Sequence, residues 1–152
     1  MTSYRRTRSA ILEATKALIA ARGVRAMSMI EIADSAQVSR ATLYNHFRDK
    51  ESVLGALLAY EIDQLFQTSR SLASISIAIS SDGALATMRS TDPALLTQIV
   101  SQMQGHLWEE ARMALSSFLG SPTRADLAMR WLIGQVFAPL QQAQSQEQAL
   151  AI

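Results

Sequence analysis

Apolar residues recur along most of this chain at the three-to-four-residue spacing of a helix. Ile11, Leu12, Thr15, Leu18 and Ile19 lay one stripe over a first helix at 4–22. Gly23 follows the stripe and suits a helix end that needs positive φ. Ser28-x-x-Glu31 is a capping box and opens a second helix, with Ile30 or Met29, Ile32, Ala33 and Ala36 turned inward. That helix has only about two turns and must pack on neighbours to persist in water. Ala36-Gln37-Val38 breaks it. Ser39 caps a third helix running from Arg40 to about Phe47, with Leu43 and Phe47 one turn apart on the core side. Asp49 caps a long fourth helix, expected over 50–72, whose stripe is Val53, Leu54, Leu57, Leu58, Ile62, Leu65 and Phe66.

Beyond residue 72 the pattern is less uniform. Residues 73–81 alternate Ile with Ser or Ala, the period of a strand. A lone strand has no partner in a helical chain, and Leu72, Ile75 and Ile79 also fit helical spacing, so the segment is expected to continue as helix or to fray. Ser80-Ser81-Asp82-Gly83 is a turn, with a short helix at Ala84–Arg89. Asp92-Pro93 starts the next helix, a cap followed by proline in the first turn. It should run to about Leu119 with a break near Gly105. Gly120-Ser121-Pro122-Thr123 is the clearest boundary of the second half. The last strong helix carries Leu127, Met129, Trp131, Leu132, Val136 and Phe137 and ends before Pro139. The Gln-rich tail is a short helix or a frayed end.

The expected fold class is therefore all-α. The 152 residues suit one modest core, and the absence of cysteine excludes disulfides and thiolate metal sites. Arg5 and Arg6 before an apolar run suggest a leader, but Glu13, Lys16 and Arg22 interrupt that run, and no stretch has the length of a membrane span. The expected location is the cytoplasm. The net charge of +1 hides an asymmetry. Residues 1–50 hold nine Lys/Arg against four Asp/Glu, a net of +5, whereas residues 51–152 hold five against nine, a net of −4. A basic head on an acidic body suits a polyanion-binding module joined to a module that does not bind one. Arg5, Arg6 and Arg8 are either an arm for phosphate or the minor groove, or a solvated helix start.

Two short capped helices joined by a tight break make a helix-turn-helix, whose second member presents its outward residues to the major groove. Those residues are Ser39, Arg40, Ala41, Thr42, Asn45 and His46. Arg40 has the fork for guanine, Asn45 the amide for adenine, and Ala41 and the Thr42 methyl suit a thymine methyl. Tyr44, His46 and Lys50 offer polar tips for phosphate oxygens, contacts that orient the protein without reading sequence.

The run Ile11-Leu12-x-Ala14, Leu18, Gly23, Ser28, Ile32-Ala33, Val38-Ser39-x-x-Thr42-Leu43-Tyr44-x-His46-Phe47-x-x-Lys50 resembles the DNA-binding head of the TetR (tetracycline-repressor-like) family over about residues 8–58. The resemblance implies an all-α homodimer: a three-helix head at 1–49, joined by a long helix to a regulatory and dimerising body at 50–152. It implies a repressor that binds a palindromic operator and is released by a small molecule. It also implies phosphate contacts by Ser28, Thr42, Tyr44, His46 and Lys50, with Arg40, Ala41 and Thr42 facing the bases. Three departures stand out. Gln37 occupies a turn position that is commonly glycine, Ser28 stands where threonine is usual, and the chain is shorter than most members.

An apolar effector would need a pocket in the body, and Met103, His106, Trp108, Met113 and Trp131 are its candidate walls, with Phe118, Met129 and Phe137 beside them. Taken singly, each of these residues suits core or dimer interface better than a ligand wall, and the stripe 127, 131, 132 and 136 suits a two-fold helical interface. The alternative to an effector-released repressor is a dimeric DNA-binding protein regulated by a protein partner or by abundance. No cofactor, metal site or catalytic set is expected. Glu109 and Glu110 are neighbours in sequence and diverge on a helix, so they make a poor acid–base pair.

Overall fold

The computed structural model describes residues 2–102 and 105–152, and all the secondary structure in them is helical. The head is built from α1 (Ser3–Arg22), α2 (Met29–Ser35), α3 (Arg40–His46) and the start of α4 (Lys50–Thr68). The body continues with α5 (Leu72–Ser80), α6 (Gly83–Thr91), α7 (Pro93–Gln102), α8 (His106–Leu119), α9 (Pro122–Phe137) and α10 (Gln142–Ala149).

Local chemistry places most of these boundaries. Thr2, Ser28, Ser39, Asp49, Ser71, Asp82 and Ser121 each accept a backbone N–H from the first turn that follows. This satisfies donors that a helix start otherwise leaves open. Ser28 and Glu31 form the expected capping box, and Gly23 ends α1 at φ 82°. Gln37 takes φ 56° in the turn between α2 and α3, a left-handed conformation that costs a residue with a Cβ about 1 kcal/mol. Met29 rather than Ile30 packs inward, and Ile30 remains 44% exposed.

The fourth helix is shorter than its stripe suggests. It stops at Thr68, and Ser71 caps a separate helix with Ser74 completing a second capping box. The Ile/Ser alternation of 73–81 is thus helical, burying Leu72, Ile75 and Ser76 on one face. Gly83 belongs to α6 rather than to the turn, because Asp82 caps that helix. The break near Gly105 is present, with Gly105 at the N-cap of α8. Gly120 (φ 68°) and Ser121 separate α8 from α9, as the boundary at 120–123 requires. The tail forms α10, which lies on α5.

Two apolar clusters hold the molecule. The larger joins Ile11, Leu12, Ile19, Ile32, Ala33, Leu43, Phe47, Val53 and Leu57 to Ala84, Met88 and Leu96 of α6 and α7. Apolar packing therefore crosses residue 49 without interruption, because α6 lies against α1. The smaller cluster gathers Leu72, Ile75, Leu115, Ala125, Ala128 and Leu132, where α8 and α9 pair and α5 closes over them. A polar seam runs beside it. The buried hydroxyl of Ser76 hydrogen-bonds Gln135 Oε1 at 2.6 Å and Ser145 Oγ at 2.7 Å, tying α5, α9 and α10 together.

Candidate DNA-reading site

The second helix of the head presents an outward edge and a buried underside. Leu43 is fully buried and Phe47 nearly so, and together they fasten α3 to the core. Ser39, Arg40, Ala41, Tyr44 and Asn45 are exposed, while Thr42 and His46 are half-buried at the margins. A seven-residue helix exposes only such an edge when its i and i+4 apolar residues face inward. Five of the six proposed base-side residues lie on this one helix, and the sixth, Ser39, is its N-cap.

Ser39 Oγ lies 2.8 Å from Thr42 Oγ1 and accepts the Thr42 backbone N–H at 3.0 Å. The hydroxyl of Thr42 is thereby held at the start of the helix. Among the described residues, Arg40 has neither an ion pair nor a side-chain hydrogen bond. Its guanidinium is the side chain on α3 best suited to a bidentate contact. Ser28 is exposed at the start of α2, with its hydroxyl 2.8 Å from Glu31 Oε2. Glu31 also meets Arg22 at 2.8 Å. Hydrogen bonds from Ser28, then Arg22, hold its carboxyl below the usual value.

Two groups sit differently from a simple phosphate contact. Lys50 Nζ donates to Val24 O at 3.1 Å and to Met27 O at 2.9 Å, stapling the loop between α1 and α2. One of its three N–H bonds remains for an external anion. The His46 ring stacks on Tyr4 with centroids 4.2 Å apart. Its Nδ1 is buried without a hydrogen-bond partner among the described residues. Burial, then the nearby Arg8 cation, lowers the His46 pKa and favours the neutral imidazole. Only the other ring nitrogen is left for a phosphate.

The amino-terminal arginines do not form an arm. Thr2 caps α1, so Arg5, Arg6 and Arg8 lie on the first turns of a regular helix. Arg5 and Arg6 are exposed, whereas Arg8 places its guanidinium 4.4 Å from the centre of the Phe47 ring, a cation–π contact with the end of α3. Tyr4 and Arg8 therefore brace the reading helix from forty residues away in sequence. No spacing rule pairs them with His46 and Phe47.

Residues 11–57 match the family described as "Bacterial regulatory proteins, tetR family". Over these residues the head is of the TetR type. Among the family's curated members, the HTH-type transcriptional repressor KstR2 of Mycobacterium tuberculosis is 38% identical over 65 residues, 43% of this chain and 32% of that protein. KstR2 of Rhodococcus jostii is 39% identical over 59 residues, 39% of this chain and 29% of that protein. These matches span about a third of the length of the curated relatives.

The TetR-type fold extends beyond the head. A Mesorhizobium loti protein assigned to the TetR family superposes with a TM-score of 0.62 at 21% identity, covering 99% of this chain and 95% of that one. The TetR-family repressor AlkX of Dietzia, implicated in biodegradation of n-alkanes, gives 0.62 at 22% identity, covering 95% and 92%.

The candidate effector walls among the described residues are not gathered round one enclosed space. His106 is exposed on the surface and pairs with Glu110 at 3.1 Å. Trp108 lines an open groove of about 510 Å³ with Val100, Met129 and Ile133. Met113 is 53% exposed and borders a different open groove beside Gly120 and Pro122. Trp131 donates its indole N–H to Gln148 at 2.7 Å, fastening α10. Met103 lies outside the described residues. On α9, Leu132 is buried and Val136 packs against the larger cluster, so those two members of the supposed interface stripe face inward. Leu127 is 54% exposed. Among the described residues no helix is long and apolar enough to cross a membrane, and no group of three or more acidic or histidine side chains is placed to hold a metal.

Proposed function

We propose that the chain is a transcriptional regulator that reads double-stranded DNA with α3 and acts as a dimeric repressor at a palindromic site. The observation that carries this reading is the exposed edge of Arg40, Ala41, Thr42 and Asn45 on a helix fastened by Leu43 and Phe47. Arg40 and Asn45 read base edges; Ala41 and the Thr42 methyl add apolar contact; Ser28, Ser39, Tyr44, His46 and Lys50 meet the backbone. Residues 1–49 form the reading unit and 50–152 the dimerising and regulatory unit. The bacterial nucleoid is where such a protein works. The repressor relatives support the direction of regulation, and a regulatory role makes an enzyme reading superfluous.

Dimerisation is supported by the apolar side chains that α8 and α9 leave in solvent: Met113, Phe118, Leu127 and Phe137. Two heads must sit about 34–36 Å apart to enter successive major grooves, and a state with another spacing binds more weakly. Control through a small apolar effector would use the groove lined by Trp108 and Met129. Control by a protein partner or by abundance is favoured by one observation: the four described candidate wall residues, His106, Trp108, Met113 and Trp131, are dispersed over surface, groove and tail rather than round one cavity.

Selection of bound duplexes from a random pool tests the proposal. A palindromic consensus is expected. Arg40→Ala should relax the preferred base at one position in each half, whereas Tyr44→Phe, which removes a hydroxyl placed for phosphate, should weaken all duplexes alike. Equal losses for Arg40→Ala on selected and random DNA would remove its base-reading role. Leu127→Glu should shift sedimentation towards the monomer; a wild-type chain that sediments as a monomer at working concentration would overturn the dimeric reading.

A further inference from the structure

Val24 is a buried residue in the loop between α1 and α2, and two charged side chains of opposite sign from distant parts of the chain hold its backbone. Its N–H donates to Asp92 Oδ2 at 3.0 Å, and its carbonyl accepts from Lys50 Nζ at 3.1 Å. Lys50 begins α4, and Asp92 sits where α6 meets α7. Asp92 does occupy the N-cap of α7, since its carbonyl accepts the Leu96 N–H at 3.0 Å. Its carboxylate, however, turns away from that helix and into the head.

The site is built to receive this carboxylate. Asp92 is 1% exposed. Burial opposes its charge, but hydrogen bonds from Thr91 and from the Val24 and Arg25 backbones, with the Arg25 guanidinium nearby, outweigh burial and hold its pKa below the ordinary value. The Arg25 guanidinium lies 3.6 Å from Oδ1, and the Thr91 hydroxyl donates to Oδ2 at 2.6 Å. Gly23 makes the approach possible, because a Cβ there would lie 2.5 Å from Asp92 Oδ2. Three residues after Val24, Met27 O accepts the second Lys50 bond, and the next residue is Ser28, the cap of α2.

We propose that Asp92 is a positioning residue of the reading head: through the Val24 backbone, it and Lys50 set where α2 begins and hence how α3 is presented to DNA. Asp92 is too deeply buried to touch DNA itself. Its influence passes through the loop to the Ser28 cap and across the α2–α3 turn. The proposal rests on the DNA-reading function above and extends that site to a residue in the body.

The test compares the full-length wild type with Asp92→Ala, Asp92→Asn and Thr91→Val, all shown folded by circular dichroism at the assay temperature. The probes are a duplex selected by the wild type from a random pool and a random-sequence duplex of equal length. Asp92→Ala should lower affinity for the selected duplex by about tenfold, the scale of losing a hydrogen bond to a charged group. It should narrow the preference for selected over random DNA, which a loss of stability alone would not do, and it should speed hydrogen exchange at the Val24 amide. Asp92→Asn retains an acceptor oxygen and should recover most of the affinity. If Asp92→Ala does not fold, Thr91→Val decides, with a smaller loss of preference and faster Val24 exchange expected. An unchanged ratio of selected to random binding in the folded variants would overturn the positioning role. A wild-type chain that binds no duplex would instead overturn the DNA-reading function, and this role with it.

Discussion

In the head, Ile11, Ile32, Leu43 and Val53 are wholly buried, and the side chains left outside are mostly polar or basic. In the body, the smaller cluster reaches comparable burial only at Ile75, Leu115, Ala125 and Ala128, while Met113, Phe118, Leu127 and Phe137 remain in solvent on α8 and α9. The body also buries polar groups, Ser76, Gln135 and Ser145, where the head buries mainly hydrocarbon. The difference follows from what each region faces. On the proposed reading the head faces DNA, so it closes its core on its inner side, against α6 and α7, and keeps its outer side polar. The proposed dimer would cover the apolar area that the body leaves in solvent, and the body tolerates a polar seam whose members are paired.

The largest effect should come from the head core. Leu43→Ala empties a fully enclosed site under α3, and denaturant unfolding should show a loss of about 2–5 kcal/mol. A loss below 1 kcal/mol would mean that the head is less tightly closed than its burial implies. Next comes the seam of the body. Ser76→Ala removes the hydroxyl between Gln135 and Ser145, and the partners left short should cost about 1–3 kcal/mol. Detachment of α10 should accompany it, visible as faster hydrogen exchange at 142–149. Ser28→Ala breaks the capping box of α2 and should cost about 1 kcal/mol. Gln37→Gly should work in the other direction. At φ 56° glycine is relieved of the Cβ clash, so a gain of at most about 1 kcal/mol is expected in thermal melting.

Acid should separate the two regions by sign and by place. Asp92, Glu31 and Asp49, all in or against the head, have carboxyl pKa values below ordinary, whereas in the body only Glu109 is so shifted among the described residues. A carboxyl with a lowered folded pKa adds stability above its unfolded value, and that stability is lost as pH falls through the folded one. Below about pH 4 the head should therefore weaken first. Asp92→Asn should flatten that acid limb, as measured by unfolding midpoints against pH.

The reading head was legible from its residues because its structure is made locally. A capping box lies within four residues, Leu43 and Phe47 lie one turn apart, and the charge that suits DNA is concentrated in the first 50 positions. The helical boundaries at Gly23, Asp49 and Gly120 were legible for the same reason: a cap or a positive φ is a property of neighbours in sequence. What only tertiary structure decided is contact at a distance. Tyr4 on His46, Arg8 on Phe47, and Asp92 against Val24 join residues about forty to seventy positions apart, and no periodicity links them. The same holds for Lys50, whose type and position suit a phosphate but whose ammonium is largely engaged by two carbonyls of its own chain. Helix spacing also left open which face of α9 turns inward, because Leu127 and Leu132 are equally apolar. Burial against α5 and α8 selected Leu132 and left Leu127 outside.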